Sequence, residues 1–399
     1  MLALVVTAAS VLAACGSDRE EGAVGDVENV VKIALVAPLS GSLSELGLGM
    51  RNAAELAVRQ ANEEDRIEGW EIEFVALDDE GDSDVGGRVA ARLTSDASVV
   101  GLVGTLNSNV AEAIQGTVND AGIVMVSPAN TNPTLTQGPD PQNKQRPFDT
   151  YFRVSTTDAI QGPFAADYAW EDVAARKVAV IHDKKTYGQG LANAFQTRFK
   201  ENGGQVAIVE TVDPGQTDFA AVLSKIKPLA PDLIYYGGEY PAASLISSQA
   251  NQQGMDMPLM GGDGIYASTF IDVAKEAGEG DFATSVGAPA QDLPSAEEFI
   301  AAYDDAGYEH GYSAYGAYAY DAANVIIEAL AEVLPELDSV EDIDDEARAD
   351  IAAAVQATSM EGATGAIGFD EFGDTTSKVL TVYKVEAGEW EPQKTAEFE

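Results

Sequence analysis

Short apolar runs alternate with stretches of helical spacing along most of this chain, and no other feature limits its fold as tightly. Val31-Lys32-Ile33-Ala34-Leu35-Val36-Ala37 comes first; over 47–62, Met50, Ala53, Ala54, Ala57, Val58 and Ala61 then fall at the spacing of one helix face. A run at 71–77 ends in Asp78-Asp79, a helix is expected over 84–93, and runs at 99–104 and 123–126 flank a helix over 109–120. Apolar runs this short, without polar alternation, suit strands buried on both faces. Strands alternating with helices at this spacing imply a parallel sheet covered on both sides.

The rhythm pauses over 130–147, which is rich in Asn, Thr, Pro and Gln, and restarts at Tyr151. A second set has strands expected at 178–181, 206–212, 233–236 and 258–260, and helices over 159–170, 190–201, 219–226 and 242–253. The fold class is therefore α/β, with two sets of similar construction rather than one long sheet. The last third adds helices over 296–305, 314–333 and 347–357, an alternating strand at 378–385 and a short partner at Trp390.

The N-terminus predicts an address. Apolar residues from Met1 to Leu12 lead into Leu12-Ala13-Ala14-Cys15 and a polar break at Gly16-Ser17-Asp18. That pattern is a lipoprotein signal peptide over 1–15, too short to span a bilayer, with Cys15 as the lipidated residue. No Lys or Arg lies between Met1 and Leu12, so the true start is expected upstream. Residues 16–30 are polar and acidic, as a flexible tether would be. A diacylglyceryl group on Cys15 would supply the two chains that stable anchoring needs.

Cys15 is the single cysteine, so disulfides contribute nothing to the mature fold. Acidic residues number 66 against 23 basic, a formal net charge of −43, which repels nucleic acid. Self-repulsion of that size calls for screening, and a salt-adapted, acidic proteome is expected. The dense acidic run from Glu336 to Asp350 is expected to be a solvated loop and helix face.

In open parallel sheets ligands bind beyond the carboxyl ends of the strands. That rule selects Gly104-Thr105-Leu106-Asn107-Ser108-Asn109 and Ser127-Pro128-Ala129-Asn130-Thr131-Asn132, where hydroxyls and backbone N–H groups near helix starts suit a carboxylate. On spacing alone, Ser108 and Asn109 serve equally as helix caps. The second set presents His182-Asp183-Lys184-Lys185-Thr186-Tyr187-Gly188, Gly237-Gly238-Glu239-Tyr240 and Gly261-Gly262-Asp263-Gly264. Asp263, between glycines, fits an ammonium contact or a plain turn. Catalysis finds little support. The two histidines, His182 and His310, have no metal-ligand spacing, and neither a G-x-S-x-G elbow nor a Walker loop is present. Asp78-Asp79 reads as a surface turn.

Taken in order, Val31 to Gly41, Leu77-Asp78-Asp79, Val126 to Pro133, His182 to Gly190, Tyr235-Tyr236-Gly237-Gly238 and Tyr320-Asp321-Ala322 resemble the type I periplasmic binding proteins of ABC importers, in the leucine/isoleucine/valine-binding branch. The resemblance spans residues 31–385. It implies two Rossmann-like lobes joined by three crossovers, with lobe 1 at 31–152 plus 287–364 and lobe 2 at 153–286 plus 365–399. It implies that Ser108 and the backbone around Thr131 hold a ligand carboxylate. The Ala129 carbonyl, the Thr131 hydroxyl and Asp263 would meet its ammonium, and Tyr187 would cover it. Four departures stand out: Glu239 replaces an aromatic, Leu46 a tyrosine, Asn107 a disulfide cysteine, and Asp263 a longer glutamate. The expected protein is a monomeric, lipid-anchored extracytoplasmic binder. It would deliver a branched-chain or other small amino acid, or a related amide, to an ABC permease, with no cofactor, metal or enzymatic step. A ligand-sensing subunit for a receptor or kinase is the alternative.

Overall fold

The computed structural model describes residues 29–398, so the signal peptide, Cys15 and the tether up to residue 28 lie outside the described residues. Strands β1 (Asn29–Ala37), β2 (Trp70–Asp78), β3 (Val99–Gly104), β4 (Val124–Ser127) and β5 (Tyr151–Arg153) form a parallel sheet in the order β2-β1-β3-β4-β5. Ile33 and Leu35 bury against one helical layer while Ala34 and Val36 bury against the other. That double burial explains why the run reads as continuous rather than alternating.

The chain then builds β6 (Lys177–His182), β7 (Gln205–Thr211), β8 (Leu233–Gly237), β9 (Leu259–Gly261) and β10 (Phe282–Val286). A small antiparallel pair follows, β11 (Ser359–Gly362) with β12 (Gly365–Gly368), and then β13 (Val379–Glu386) and β14 (Glu389–Glu397). The second sheet runs β14-β13-β10-β9-β8-β6-β7, parallel except for the last two strands in sequence. Between β10 and β13 the helices Gly316–Val333 and Asp345–Gln356 pack back on the first sheet, the former against the helix Ser44–Glu63. The chain therefore passes between the sheets three times: after β5, after β10 and before β13. This is the two-lobed α/β fold expected from the sequence.

Several boundaries differ from the sequence reading. The helix expected over 190–201 begins at Thr186, which puts Tyr187 and Gly188 in its first turn. Gly188 makes that start possible, because a Cβ there would lie 2.4 Å from the Gly237 carbonyl oxygen at the end of β8. Gly188→Ala is expected to cost about 1–3 kcal/mol by overpacking, read as a lower melting temperature. The strand β10, the helix Ser268–Ala274 and the β11–β12 pair gave no sequence signal. Phe282-Ala283-Thr284-Ser285-Val286 is polar in part, yet it is wholly buried between β9 and β13. β14 is a nine-residue edge strand rather than a short partner, and its charged, half-exposed face suits an edge. The acids between Glu336 and Asp350 are exposed, as expected.

Candidate functional site

The carboxyl ends of both sheets face one cleft. On the first sheet, β3 ends at Gly104 and β4 at Ser127, and their two loops are stitched together. Asn130 Nδ2 donates to the Leu106 carbonyl at 3.0 Å, and the Ser127 hydroxyl donates to the Thr105 carbonyl at 3.2 Å while accepting from the Asn130 amide at 2.9 Å. Beneath them lies Arg153, fully buried. Its guanidinium donates to the Asn130 and Asn132 carbonyls at 2.8 and 2.9 Å and to Asp374 at 2.6 Å. Burial pushes the Asp374 carboxyl up, but Arg153 and Gln137 outweigh it and hold it below the ordinary carboxylate range.

Ser108 is the first residue of the helix Ser108–Asp120, whose cap, Asn107, makes no side-chain capping bond. Capping by Ser108 or Asn109 is therefore not what the loop does: Asn109 Nδ2 instead donates to the Ser83 hydroxyl at 3.0 Å. Among the described residues, the Ser108 and Thr131 amides donate no hydrogen bond, and the Thr131 hydroxyl is buried without a partner. The Ser108 amide sits in the first turn of its helix, where a helix N-terminus favours an anion.

The second sheet supplies the opposite wall. Asp263 follows β9 and is fully buried. Its Oδ1 accepts from the Tyr187 hydroxyl at 2.8 Å and from Gln161 at 3.0 Å, and its Oδ2 accepts from the Tyr315 hydroxyl at 2.6 Å. A carboxylate offers about four acceptor positions, so one remains. Burial raises its pKa, against the pull of those three donors. Asp158, first residue of the helix Asp158–Glu171, is buried with neither carboxylate oxygen hydrogen-bonded. Burial first and the Asp263 charge second push its pKa well up. Leu46, Leu106, Ala129, Tyr187, Asp263 and Tyr315 all border a cavity of about 20 Å³, so the walls nearly meet. A larger cavity of about 930 Å³ lies on the flank near Tyr266, Tyr383 and Trp390, and takes in none of Ser108, Thr131 and Asp263.

Glu239 stands at the cleft rim. It is half-buried, pairs with Lys185 at 2.9 Å and accepts from Asn107 Nδ2. The cation it pairs with, Lys185, is the protein's own. Burial pulls the Lys185 ammonium down, but Glu239 outweighs it and the pKa is raised. Further bonds join the walls: Asn132 Nδ2 to the Thr186 carbonyl at 2.7 Å, the Thr186 hydroxyl to Glu112 at 2.7 Å, and the Tyr240 hydroxyl to the Ser42 carbonyl. Glu45, from the first lobe, accepts from the Ser268 and Thr269 amides at 2.9 and 3.0 Å, at the start of a helix in the second. The lobes are closed on one another.

Asp79 is buried, a correction to its reading as a surface turn; Asp78 keeps the turn role by accepting from the Leu39 and Glu80 amides. Burial raises Asp79, Asp183 and Asp281 to about 7 and Asp321 to about 6. In an unfolded chain such groups titrate near ~3.9. The folded form thus binds protons more tightly, and the stabilisation is full below pH ~4 and lost as pH rises through 7. Asp96, lowered to about 2 by Lys32, works the other way, but its contribution changes only below about pH 4. Melting temperature at fixed salt is expected to be higher at pH 5 than at pH 8.

Of the sequence-predicted residues, Ala129, Tyr187, Glu239 and Asp263 border one cavity, and Ser108 and Thr131 are buried in the two loops that adjoin it. Gln161, Asp158 and Tyr315 were missed. Each lies at or near the start of a helix, where a polar residue reads as a cap. His182 accepts from the Lys184 amide at 3.2 Å, a structural bond. Among the described residues no group of His, Cys, Asp and Glu could hold a metal ion. No helix among them is long and apolar enough to cross a membrane.

A two-lobed α/β clamp with carboxylates on one wall and unbonded amides on the other defines a class. The model of the periplasmic binding protein family matches residues 30–389, and the chain belongs to that family. It is a binding protein and not an enzyme. It is 32% identical over 359 residues to the leucine-, isoleucine-, valine-, threonine- and alanine-binding protein of Pseudomonas aeruginosa, covering 89% of this chain and 90% of that one. The crystal structure of the leucine-binding protein LivK from Thermotoga maritima is similar at TM-score 0.81 and 31% identity, over 92% of this chain and 98% of that one. The branched-chain amino acid transporter substrate-binding protein LivJ from Streptococcus pneumoniae, in complex with isoleucine, is similar at TM-score 0.80 and 27% identity, over 92% and 99%. Homologues of this chain are thus substrate-binding proteins of branched-chain amino acid ABC transporters.

Proposed function

We propose that this chain is the extracytoplasmic substrate-binding subunit of an ABC importer and that it captures a small neutral amino acid by closing its two lobes. One observation carries the reading. The buried Asp263 carboxylate, with an acceptor position to spare, borders the same cavity as Ala129, and the unbonded amides of Ser108 and Thr131 lie in the loops on the Ala129 side. A zwitterion matches that polarity. The Ser108 hydroxyl and amide and the Thr131 amide take its carboxylate. The Ala129 carbonyl, the Thr131 hydroxyl and Asp263 take its ammonium, and Tyr187 closes over it. Glu239 polarises the rim. Leucine, isoleucine, valine, threonine and alanine in the name of the Pseudomonas relative support this ligand class.

In this assignment 31–152 plus 287–364 form one lobe and 153–286 plus 365–399 the other. Closure commits the ligand because the bonds across the cleft exist only in the closed state. Cys15 carries a lipid anchor, the protein acts as a monomer, and a permease receives the ligand. Mass spectrometry of the membrane-bound form reads the anchor as a mass increment on Cys15.

A melting-temperature screen of the twenty amino acids and small amides, in molar NaCl, tests the reading. Ligands that bind only the folded state raise the melting temperature. At least one small neutral amino acid is expected to do so, and a screen in which none does defeats the proposal. The same screen without salt is expected to start from a lower melting temperature, because of the charge of −43.

A further inference from the structure

The flanking cavity near Tyr266, Tyr383 and Trp390 has no part in the amino acid reading. Its volume of about 930 Å³ is that of a small-molecule site, and such sites form preferentially between domains. Six of the chain's fourteen tyrosines and one of its three tryptophans line it, a concentration that composition alone does not produce.

The walls come from both halves of the molecule. Tyr383 on β13 and Trp390 on β14 belong to the second sheet; Tyr266 stacks on Tyr383 at 4.2 Å and lies 5.9 Å from the Trp390 ring. On the other side Tyr308 and Tyr312 pack on Tyr303 at 4.9 and 5.7 Å. Tyr318, on the helix Gly316–Val333 that packs against the first sheet, donates to the Val286 carbonyl at 2.9 Å and so ties that side to the crossover after β10. Tyr266, Tyr308, Tyr312 and Trp390 are only half-buried, which leaves ring surface accessible.

The chemistry of the lining selects the sign of an occupant. Asp272, Asp304, Glu309 and Glu389 border the cavity, and no Lys or Arg does. Elsewhere the protein places its own cations over aromatic rings: Lys144 over Phe372, Arg146 over Phe152, Arg176 over Trp170 and Lys394 over Tyr168. Among the described residues none stands over a ring of this cavity. Aromatic faces carry a negative quadrupole and attract cations, quaternary ammonium groups above all. The carboxylates add to that field and repel an anion. A metal ion is not the candidate, because no group of His, Cys, Asp and Glu among the described residues could hold one.

We propose that this cavity is a second ligand site, for an organic ammonium ion, and that its occupant reinforces closure of the lobes. The site stands on the cavity itself; the coupling rests on the closure reading given above. Walls from both halves part when the lobes open, so an occupant binds the closed form better and, by linkage, tightens amino acid binding.

Calorimetry in molar NaCl tests this with three probes of one shape: choline, 3,3-dimethylbutan-1-ol and 3,3-dimethylbutanoate, which are cationic, neutral and anionic. Choline is expected to bind about tenfold or more tightly than the alcohol, and the carboxylate not at all. Tyr266→Ala removes one ring. Gly311→Arg brings a cation of the protein to the lining at a position where a Cβ meets nothing within 4 Å, so the fold accepts it. Each variant is expected to lose about tenfold or more in choline affinity and to keep wild-type affinity for the best amino acid of the screen when choline is absent. Saturating choline is expected to tighten wild-type amino acid binding about fivefold or more and to leave both variants unchanged. Four results would each overturn the proposal: no choline binding, equal binding of the three probes, choline binding untouched in both variants, or choline competing with the amino acid. Wild-type amino acid affinity indifferent to choline would do the same. A wild type that binds choline through Tyr266 but none of the amino acids would defeat the proposed function while upholding this site.

Discussion

Arg153→Ala lowers the stability of this protein by about 3–5 kcal/mol, as removal of one partner of a buried ion pair does. Asp374, otherwise inside the fold, is left with the neutral Gln137 at 2.7 Å and Thr136, and the Asn130 and Asn132 carbonyls lose their donor. Asp374→Ala is expected to cost a similar amount, and the double variant less than the sum, because each single change already breaks the pair. Replacing the two by apolar residues of similar volume recovers part of the loss, but not the part owed to those carbonyls. Urea denaturation at fixed salt and pH reads the four variants against the wild type. Equal stability of Arg153→Ala and the wild type would remove the pair from the account. The damage extends to binding, since Arg153 underpins the loop that carries Ala129 and Thr131.

The second large effect is on affinity. Asp263→Ala is expected to weaken amino acid binding by about 2–5 kcal/mol, the range for truncating one partner of a buried charged contact. Three donors, from Gln161, Tyr187 and Tyr315, lose their acceptor at the same time. Asp263→Asn separates the two consequences, because it keeps the volume and some of the bonds while removing the charge. If the carboxylate meets an ammonium, Asn is nearly as damaging to affinity as Ala while costing less stability. Calorimetry with the best ligand of the screen, alongside ligand-free melting, distinguishes the cases. Unchanged affinity in both variants would place the ligand elsewhere, with the flanking aromatic cavity the next place to look.

Much of this was legible in the sequence because it depends on local pattern. A run such as Val99–Gly104, short and β-branched among helical stretches, reads as a strand buried on two faces, and the rule for the ends of parallel strands then selects the loops at Ser108 and Thr131. What escaped depends on distant partners. Arg153 and Asp374 are 221 residues apart, and neither is marked as charged core by its neighbours in sequence. Tyr315 bonds to Asp263 only because the second passage of chain returns a helix to the first lobe. Gln161 and Asp158 share one face of a helix, but which way that face looks is decided by tertiary packing, not by spacing. β10 was invisible because its Thr284 and Ser285 are polar, and Thr284 finds its partner in Gln161 at 2.7 Å.

Glu45 never nears the proposed ligand, yet it lends its carboxylate to the first amides of a helix on the opposite lobe. Residues of this kind set how readily the jaws stay shut and leave untouched what they shut upon. Over generations, grip strength can therefore wander through changes at the rim, matching a habitat rich or poor in nutrient, while the menu stays fixed.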